Sequence, residues 1–285
     1  MSEPDQESVL LKFRNLSLDL SSPKIMGILN TTPDSFSDGG EYLSPALALK
    51  RIGQMISEGA HIIDVGGEST RPGADSVSED EEIRRVIPIL KRAIQDFQNV
   101  IFSVDTTKYG VAKAALNAGA HIINDVSGLN KEPGLAELCG ETGAGYILMH
   151  SQGDPKTMQM NPEYDNIIDD LNLFFESKIA LLKNSGVDSI VIDPGIGFGK
   201  TPEHNLAIVA ELSEFKSFGC PILVGASRKS MIGELLDGRP VTGRLAGTLA
   251  LHYQCLINGA NMLRVHDVQE AADSIKIYKA VHQKS

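Results

Sequence analysis

The stretch Ile190-Val191-Ile192-Asp193-Pro194-Gly195-Ile196-Gly197-Phe198-Gly199-Lys200 decides the reading of the fold. A run of β-branched residues suits a strand buried on both faces, and Pro194-Gly195 cannot continue it, so Asp193 falls where strand gives way to loop. In a parallel α/β protein that edge carries the active site. The spaced glycines invite comparison with a phosphate-binding loop ending in Gly199-Lys200-Thr201. Such a loop needs a glycine five residues before its Gly-Lys-Thr, and Pro194 stands there. Thr201-Pro202 reads instead as a helix cap followed by the first helical residue. Taken alone, Asp193 could equally cap a turn; the rest of the chain decides.

Working outward, the same strand, loop and helix unit recurs. Strands are expected at Ile25 to Leu29, Ile62 to Val65, Ile101 to Val104, His121 to Ile123, Tyr146 to Met149, Ser189 to Ile192, Ile222 to Val224 and Met262 to Val265. Helical spacing of apolar residues follows each, as in Leu49, Ile52, Met55 and Ile56 after Ser44-Pro45, or Ile83, Val86, Ile87 and Leu90 after the Ser78-Glu-Asp-Glu81 cap. Gly59-Ala-His-Ile-Ile-Asp64 is echoed by Gly119-Ala-His-Ile-Ile-Asn124, with Gly186-Val-Asp-Ser-Ile and Gly259-Ala-Asn-Met-Leu of the same shape, each a helix-ending glycine feeding a strand. About eight such units favour a closed (βα)8 TIM barrel in a single domain, with an open doubly wound sheet as the runner-up. Leu11 to Leu20 partly alternates apolar and polar residues and is expected as a short hairpin across one end of the barrel. Residues 1–10 are expected as a polar disordered tail and 11–285 as the barrel domain.

Composition narrows the class. The chain has 285 residues, 42% hydrophobic and 22% charged, enough for a sizeable core. No apolar run is long enough to span a bilayer and the polar, acidic start is unlike a secretory signal, so a cytoplasmic protein without membrane association is expected. Cys139, Cys220 and Cys255 lack metal-site spacing and are expected reduced in the core. A net charge of −11 with no Trp argues against a nucleic-acid surface, so any anion is held by a local cluster.

In a barrel, polar residues at the strand ends converge on one pocket. Asn30, Asp64, Asp105, Asn124-Asp125, Met149-His150 and Asp193 end the first six strands; Ser227-Arg-Lys-Ser230 follows the seventh, and Arg264-Val-His266 ends the eighth. Two poles are expected: an acceptor floor of acids and amides, and a cationic rim of Arg71, Lys229, Arg264 and His266. Buried acceptors call for a ligand rich in N–H donors, such as a flat heterocycle with a guanidine-like edge. The rim suits phosphate or carboxylate.

These residues carry a resemblance to the dihydropteroate synthases of the folate pathway. It runs through Met26-Gly-Ile-Leu-Asn-Thr-Thr-Pro-Asp-Ser-Phe-Ser-Asp-Gly-Gly40, Asp64-Val-Gly-Gly-Glu-Ser-Thr-Arg-Pro-Gly73, Ser103-Val-Asp-Thr-Thr107, Ile123-Asn-Asp-Val-Ser-Gly128, Leu148-Met-His150, Asp193 to Lys200, Ser227-Arg-Lys-Ser230 and Arg264-Val-His-Asp-Val268. The resemblance implies condensation of 6-hydroxymethyl-7,8-dihydropterin pyrophosphate with p-aminobenzoate, with Mg²⁺ as cofactor, small-molecule substrates only, and a homodimer with Leu249, Leu251 and Leu256 as candidate surface. It implies a pterin site of Asp105, Asn124, Val126, Met149, Asp193, Phe198, Gly225, Lys229 and Arg264. Asn30, Thr70, Arg71, Arg264 and His266 would form the diphosphate site, Asn30 also holding the metal. Phe36, Pro72, Lys229 and Ser230 would receive p-aminobenzoate, and Asp105, Lys229, Arg264 and His266 would be catalytic. Ser151 departs from the larger apolar residue that many relatives carry there.

Two other readings compete. The pterin-binding barrel of corrinoid-dependent methyltransferases shares the floor, but has no use for Asn30, the Thr-Pro-Asp-Ser-Phe-Ser run or Ser69-Thr-Arg-Pro72. A non-catalytic pterin-binding barrel would be expected to lose the rim, yet Arg71, Lys229, Arg264 and His266 are all present.

Overall fold

A computed structural model describes residues 10–32, 44–69, 73–153 and 162–282. An antiparallel hairpin, β1 (Leu10–Phe13) and β2 (Leu16–Asp19), precedes the alternating units. These are β3 (Lys24–Asn30), α1 (Pro45–Glu58), β4 (Ile62–Gly66), α2 (Glu79–Asp96), β5 (Ile101–Asp105), α3 (Tyr109–Ala118), β6 (Ile122–Asp125) and α4 (Leu135–Thr142). β7 (Gly145–Met149), α5 (Ile167–Asn184), β8 (Ile190–Asp193), α6 (Pro202–Ala210), β9 (Leu223–Val224), α7 (Ser230–Leu235), α8 (Leu245–Ile257), β10 (Met262–Val265) and α9 (Val268–His282) complete the chain.

All eight strands from β3 to β10 are parallel neighbours in one sheet, in the order β8-β7-β6-β5-β4-β3-β10-β9. The seam between β8 and β9 is joined by a parallel bridge from Ile192 to Ile222, with Ile192 N–H donating to the Pro221 carbonyl at 2.9 Å. The sheet therefore closes into the (βα)8 barrel, and the open doubly wound alternative is set aside. β9 is shorter than its expected span, and the six-residue α7 was not anticipated from helical periodicity. Leu10, assigned from sequence to the tail, already belongs to β1; residues 1–9 lie outside the described residues.

Local chemistry explains the register. Ser44 and Ser78 cap α1 and α2 by accepting from Leu47 and Glu81 N–H, and Thr201 forms a capping box with His204 at the start of α6. Gly59 and Gly119 end α1 and α3 in the left-handed region, at φ 110° and 107°. Two residues on, His61 and His121 each accept a backbone N–H from the neighbouring strand, that of Ile25 at 3.2 Å and of Phe102 at 3.1 Å. Asn261 does the same for Ile222 N–H at 2.9 Å. The Gly-Ala-His and Gly-Ala-Asn repeats thus pin strand starts at the N-terminal end of the barrel.

That end is filled by Met26, Ile62, Ile101, Ile122, Ile147, Val191, Leu223 and Met262, closed from below by Leu11, Phe13, Leu18 and Leu20 of the hairpin. A larger apolar layer lies between the strands and the surrounding helices. Cys139 and Cys255 are buried there, Cys220 is half-buried at its edge, and all three are free. No helix among the described residues is long and apolar enough to cross a membrane. With the lower end filled by hydrocarbon, the polar chemistry is displaced to the opposite, C-terminal end.

Candidate active site

The strands deliver their polar residues in steps. Asp105 pairs in register with Asn124, and Asp193 with Met149, so these four side chains sit on neighbouring strand ends. Asp64 was expected at a strand end, but it is the third residue of β4, one step deeper and fully buried. One of its oxygens accepts from Asn124 Nδ2 at 3.0 Å and from Arg264 Nε at 2.7 Å. Its other oxygen is buried and has no hydrogen-bond partner among the described residues. Arg264 also reaches Asp105 at 2.7 Å.

This arrangement corrects the two-pole picture. Arg264 is a counter-charge inserted among the floor acids, and it is one cation shared by two buried carboxylates. Burial pushes the Asp105 carboxyl up to about 7, with Arg264 holding it down and the Asp64 charge adding to the rise. Asp125, expected beside Asn124, points to the outer layer because adjacent strand residues face opposite sides. There it accepts from Tyr146 OH at 2.5 Å and from Ser127 and Leu129 N–H, and so serves the β6 turn.

Asp193 remains the most available acceptor. Its Oδ1 takes Gly195 N–H at 2.8 Å, while Oδ2 receives no hydrogen bond from any described residue. Burial raises its carboxyl to about 6, against the pull of the Gly195 N–H, Lys229, Arg264 and Lys200. Oδ2 lies 3.9 Å from where a Gly225 Cβ would stand, so that glycine leaves the floor uncovered. Met149, Phe198 and Val126 form a small apolar cluster of their own, separate from the two larger cores. Lys229 Nζ sits 3.8 Å from the centre of the Phe198 ring. Its stem passes close over Gly197, where a Cβ would come within 3.1 Å of Cδ. Burial lowers the Lys229 ammonium to about 8, helped by Arg264 and opposed by Asp193 and Asp105.

The turn that presents Lys229 is strained and clamped. Arg228 holds φ 58°, a region that non-glycine residues rarely adopt, and its guanidinium pairs with both oxygens of Asp267. Ser227 accepts from His266 N–H at 3.3 Å and lies 3.0 Å from His266 Nδ1. A hydroxyl that already accepts from the backbone can give its proton to Nδ1, which leaves the imidazole proton on Nε2. Ser230 starts α7, directly after Lys229.

A cavity of about 310 Å³ opens beside the floor, lined by Asp105, Val126 and Phe198 together with Thr106, Lys108, Ser127, Lys131 and Ser151. Ser151 donates to the Val126 carbonyl at 2.8 Å, so the departure noted in the sequence ties this wall to the neighbouring loop. Lys108 links Glu68 and Glu82, and Glu68 also takes Val77 N–H at 3.2 Å, bridging the two ends of the β4–α2 loop. Burial raises the Glu82 carboxyl, with Lys108 opposing it. Phe36, Thr70, Arg71 and Pro72 lie outside the described residues. Asn30 closes β3, half-buried. Among the described residues, no group of three or more His, Cys, Asp or Glu could hold a metal ion.

Sequence reasoning missed Lys200, treating it only as the tail of a rejected Gly-Lys-Thr motif. It is 2% exposed and contacts His150 Nδ1 at 2.9 Å. The one available signal was a lysine closing a loop of glycines that pack too tightly for side chains.

The closed barrel and the acid–arginine floor define a pterin-binding enzyme: the family model described as pterin binding enzyme matches residues 26–266. The chain is 50% identical over 266 residues, 93% of each protein, to the dihydropteroate synthase of Escherichia coli (strain K12). The Yersinia pestis dihydropteroate synthase in a sulfonamide drug complex superposes with a TM-score of 0.91 at 46% identity, covering 97% of this chain and 100% of that one. The Xanthomonas albilineans dihydropteroate synthase with 4-aminobenzoic acid has a TM-score of 0.91 at 39% identity, covering 98% and 100%. The chain belongs to the dihydropteroate synthase family, transferases of folate biosynthesis.

Proposed function

We propose that the site joins p-aminobenzoate to the exocyclic methylene of 6-hydroxymethyl-7,8-dihydropterin pyrophosphate by a dissociative route, with the strand-end residues in the following roles. Asp193 accepts the pterin N3–H and 2-amino group, and the observation that carries this is its buried Oδ2, which receives no hydrogen bond from any described residue and borders the space that Gly225 leaves open. Asn124, its amide nitrogen committed to Asp64, offers its oxygen to the same edge. Met149, Phe198 and Val126 wall the ring, Gly225 leaves room for it, and Lys229 reaches its O4 and N5 side. Asp105, paired with Arg264, faces the charge that grows on the ring as the C–O bond breaks.

The diphosphate is assigned to Asn30, Thr70, Arg71, Arg264 and His266. His266 donates from Nε2, because Ser227 occupies Nδ1. The amine of p-aminobenzoate, ordered by Phe36, Pro72, Lys229 and Ser230, attacks the methylene cation and loses a proton to give dihydropteroate and pyrophosphate. Because the cation is a strong electrophile, positioning matters more than a general base.

Mg²⁺ fits this site. Asn30 Oδ1 lies 3.7 Å from where a Gly66 Cβ would stand, so the missing side chain leaves this oxygen, a donor of the kind that a hard cation prefers, uncovered on that side. Asn30 would hold the ion together with oxygens of the diphosphate, and the ion would supply charge neutralisation on the leaving group. Contact with the substrate's own phosphates accounts for the small protein share of the ligand set.

A homodimer in the cytoplasm completes the proposal. Leu206, Leu235 and Ile257 are exposed on α6, α7 and α8, with Val241 nearby. Leu256, one of the three candidates from sequence, is 1% exposed and belongs to the core, because it falls on the inner face of α8. Leu249 and Leu251 are half-buried. Light scattering at micromolar concentration should give about twice 30.7 kDa; a monomer mass would overturn this assignment.

The test of the chemistry is pyrophosphate release, expected to require both substrates and Mg²⁺. Asp193→Asn should abolish pterin binding measured by calorimetry. Wild-type affinity in that variant would remove Asp193 from the pterin edge.

A further inference from the structure

Lys200 is nearly fully buried and belongs to none of the substrate contacts. Its Nζ meets three partners: His150 Nδ1 at 2.9 Å, the His150 carbonyl at 3.2 Å and the Phe198 carbonyl at 3.1 Å. An ammonium has three protons to donate, and each finds an acceptor. The two carbonyls belong to the end of β7 and to the residue that walls the pterin pocket. Gly195 is the spacer between this ammonium and Asp193. Its N–H holds Asp193 Oδ1 at 2.8 Å, and a Cβ on it would lie 3.3 Å from Nζ and 2.0 Å from the His150 carbonyl.

Building on the assignment of Asp193 to the pterin edge, we infer that Lys200 is a positioning residue whose buried ammonium fixes the Phe198 wall to the end of β7 and sets a cation behind the Asp193 carboxylate, with Gly195 between them. Lysine is rarely buried without a charge partner, and among the described residues the carboxylate that supports this one is Asp193. Burial lowers the ammonium to about 7, with Asp193 raising it and Lys229 lowering it. The charged groups that act on Asp193 are Lys229, Arg264 and Lys200. Lys229 and Arg264 have other work toward the ligand, whereas Lys200 acts only through the protein. His150 stays neutral, burial and Lys200 holding it down at about 2.

The sign of the effect follows. Pterin recognition requires the Asp193 anion, so affinity is lost as pH falls through its pKa. Removing the Lys200 charge raises that pKa, and the loss moves to higher pH. An opposite charge nearby typically shifts a carboxyl by about 1–3 units.

The experiment is calorimetric titration with the pterin pyrophosphate from pH 5 to 9 for wild type, Lys200→Met, Lys200→Gln and Asp193→Asn. Gln can still donate to the two carbonyls, so it separates charge from tethering and guards against a variant that does not fold. Lys200→Gln is expected to bind about twofold more weakly at pH 7 and about tenfold more weakly at pH 5, with its midpoint about one unit higher. Lys200→Met should share the raised midpoint and also lose affinity above it. Wild-type affinity and midpoint in both Lys200 variants, with binding lost in Asp193→Asn, overturns the inference alone. Retained binding in Asp193→Asn overturns the assignment on which it rests. In unmutated protein, a ¹⁵N lysine spectrum showing Lys200 as a neutral amine at pH 6 while the pterin still binds also overturns it.

Discussion

Arg264→Met removes the one cation shared by Asp64 and Asp105. Asp64 is completely buried and already has an oxygen without a partner among the described residues, and Asp105 is 6% exposed. Removing one member of a buried ion pair costs about 3–5 kcal/mol, because the remaining charge is stranded. Here two carboxylates are stranded, and part of that cost is relieved by protonating one. With about 2 cal/mol/K of unfolding entropy per residue, a loss of that size lowers Tm by roughly 5–9 °C. The pH dependence is the sharper test. Stranded carboxyls have folded pKa values raised above the unfolded value, so the native state takes up protons that the unfolded chain releases. The variant's stability is therefore highest at low pH and falls as pH rises through those values. Urea unfolding followed by far-UV circular dichroism, the chain having no Trp, should show a deficit at pH 8 that shrinks toward pH 5. Arg264→Met combined with Asp64→Leu should recover much of it, since an apolar replacement strands one charge fewer. A deficit below about 1 kcal/mol at pH 8, or one independent of pH, would refute the shared-cation argument.

Three further outcomes are expected. Gly195→Ala places a Cβ 2.0 Å from the His150 carbonyl at φ 69°, and should lower stability by roughly 2–4 kcal/mol with loss of pterin binding, read by urea unfolding and calorimetry. Ser227→Ala removes the hydroxyl that meets His266 Nδ1 and its backbone N–H and so releases the tautomer; KM for the pterin pyrophosphate should rise about threefold to tenfold, a loss of roughly 0.5–1.5 kcal/mol, with KM for p-aminobenzoate unchanged in steady-state kinetics. Buried His121 and His252 and the more exposed His61, held down to about 4, and buried His150, held down to about 2, each by desolvation first, should lower wild-type stability as pH drops from 6.5 toward 4, offset in part by the raised Asp105 and Asp193 carboxyls, which take up protons in the native state. The unfolded chain takes up protons in that window while these histidines do not, at about 1.4 kcal/mol per pH unit for each of the buried ones and less for the solvent-screened His61; His252→Phe, which also removes two buried ring nitrogens that have no partner among the described residues, should flatten the slope.

The barrel was legible because its signals are local. Gly59, Gly119 and Gly259 end their helices through their own backbone geometry, and the following His61, His121 or Asn261 completes the joint within a few residues. The floor was legible as a set of residue types but not as an arrangement. Arg264 finds Asp64 and Asp105 at separations of 200 and 159 residues, and nothing in the neighbourhood of any of them announces the pairing. Asp64 was misplaced by one step of the barrel because β4 extends to Gly66, a boundary that apolar alternation does not mark in a strand buried throughout. Lys200 was passed over because the physics that makes buried lysine rare is also what makes it uninformative to pattern reading; its three acceptors are visible only once the loops after β7 and β8 are side by side.

The hairpin beneath the barrel bears on the order in which the molecule is made. Phe13 is fully buried against Gly145, Arg14 donates to the carbonyls of Leu116 and Ala120, and Lys12 exchanges hydrogen bonds with Ser189, 177 residues away. The ribbon thus leaves the ribosome before any wall of the chamber it stoppers, and its docking site is incomplete until strands from both halves of the chain have come together. Through most of synthesis Leu11, Phe13, Leu18 and Leu20 have nothing to bury against, which makes the docking of this segment a late, long-range event in folding.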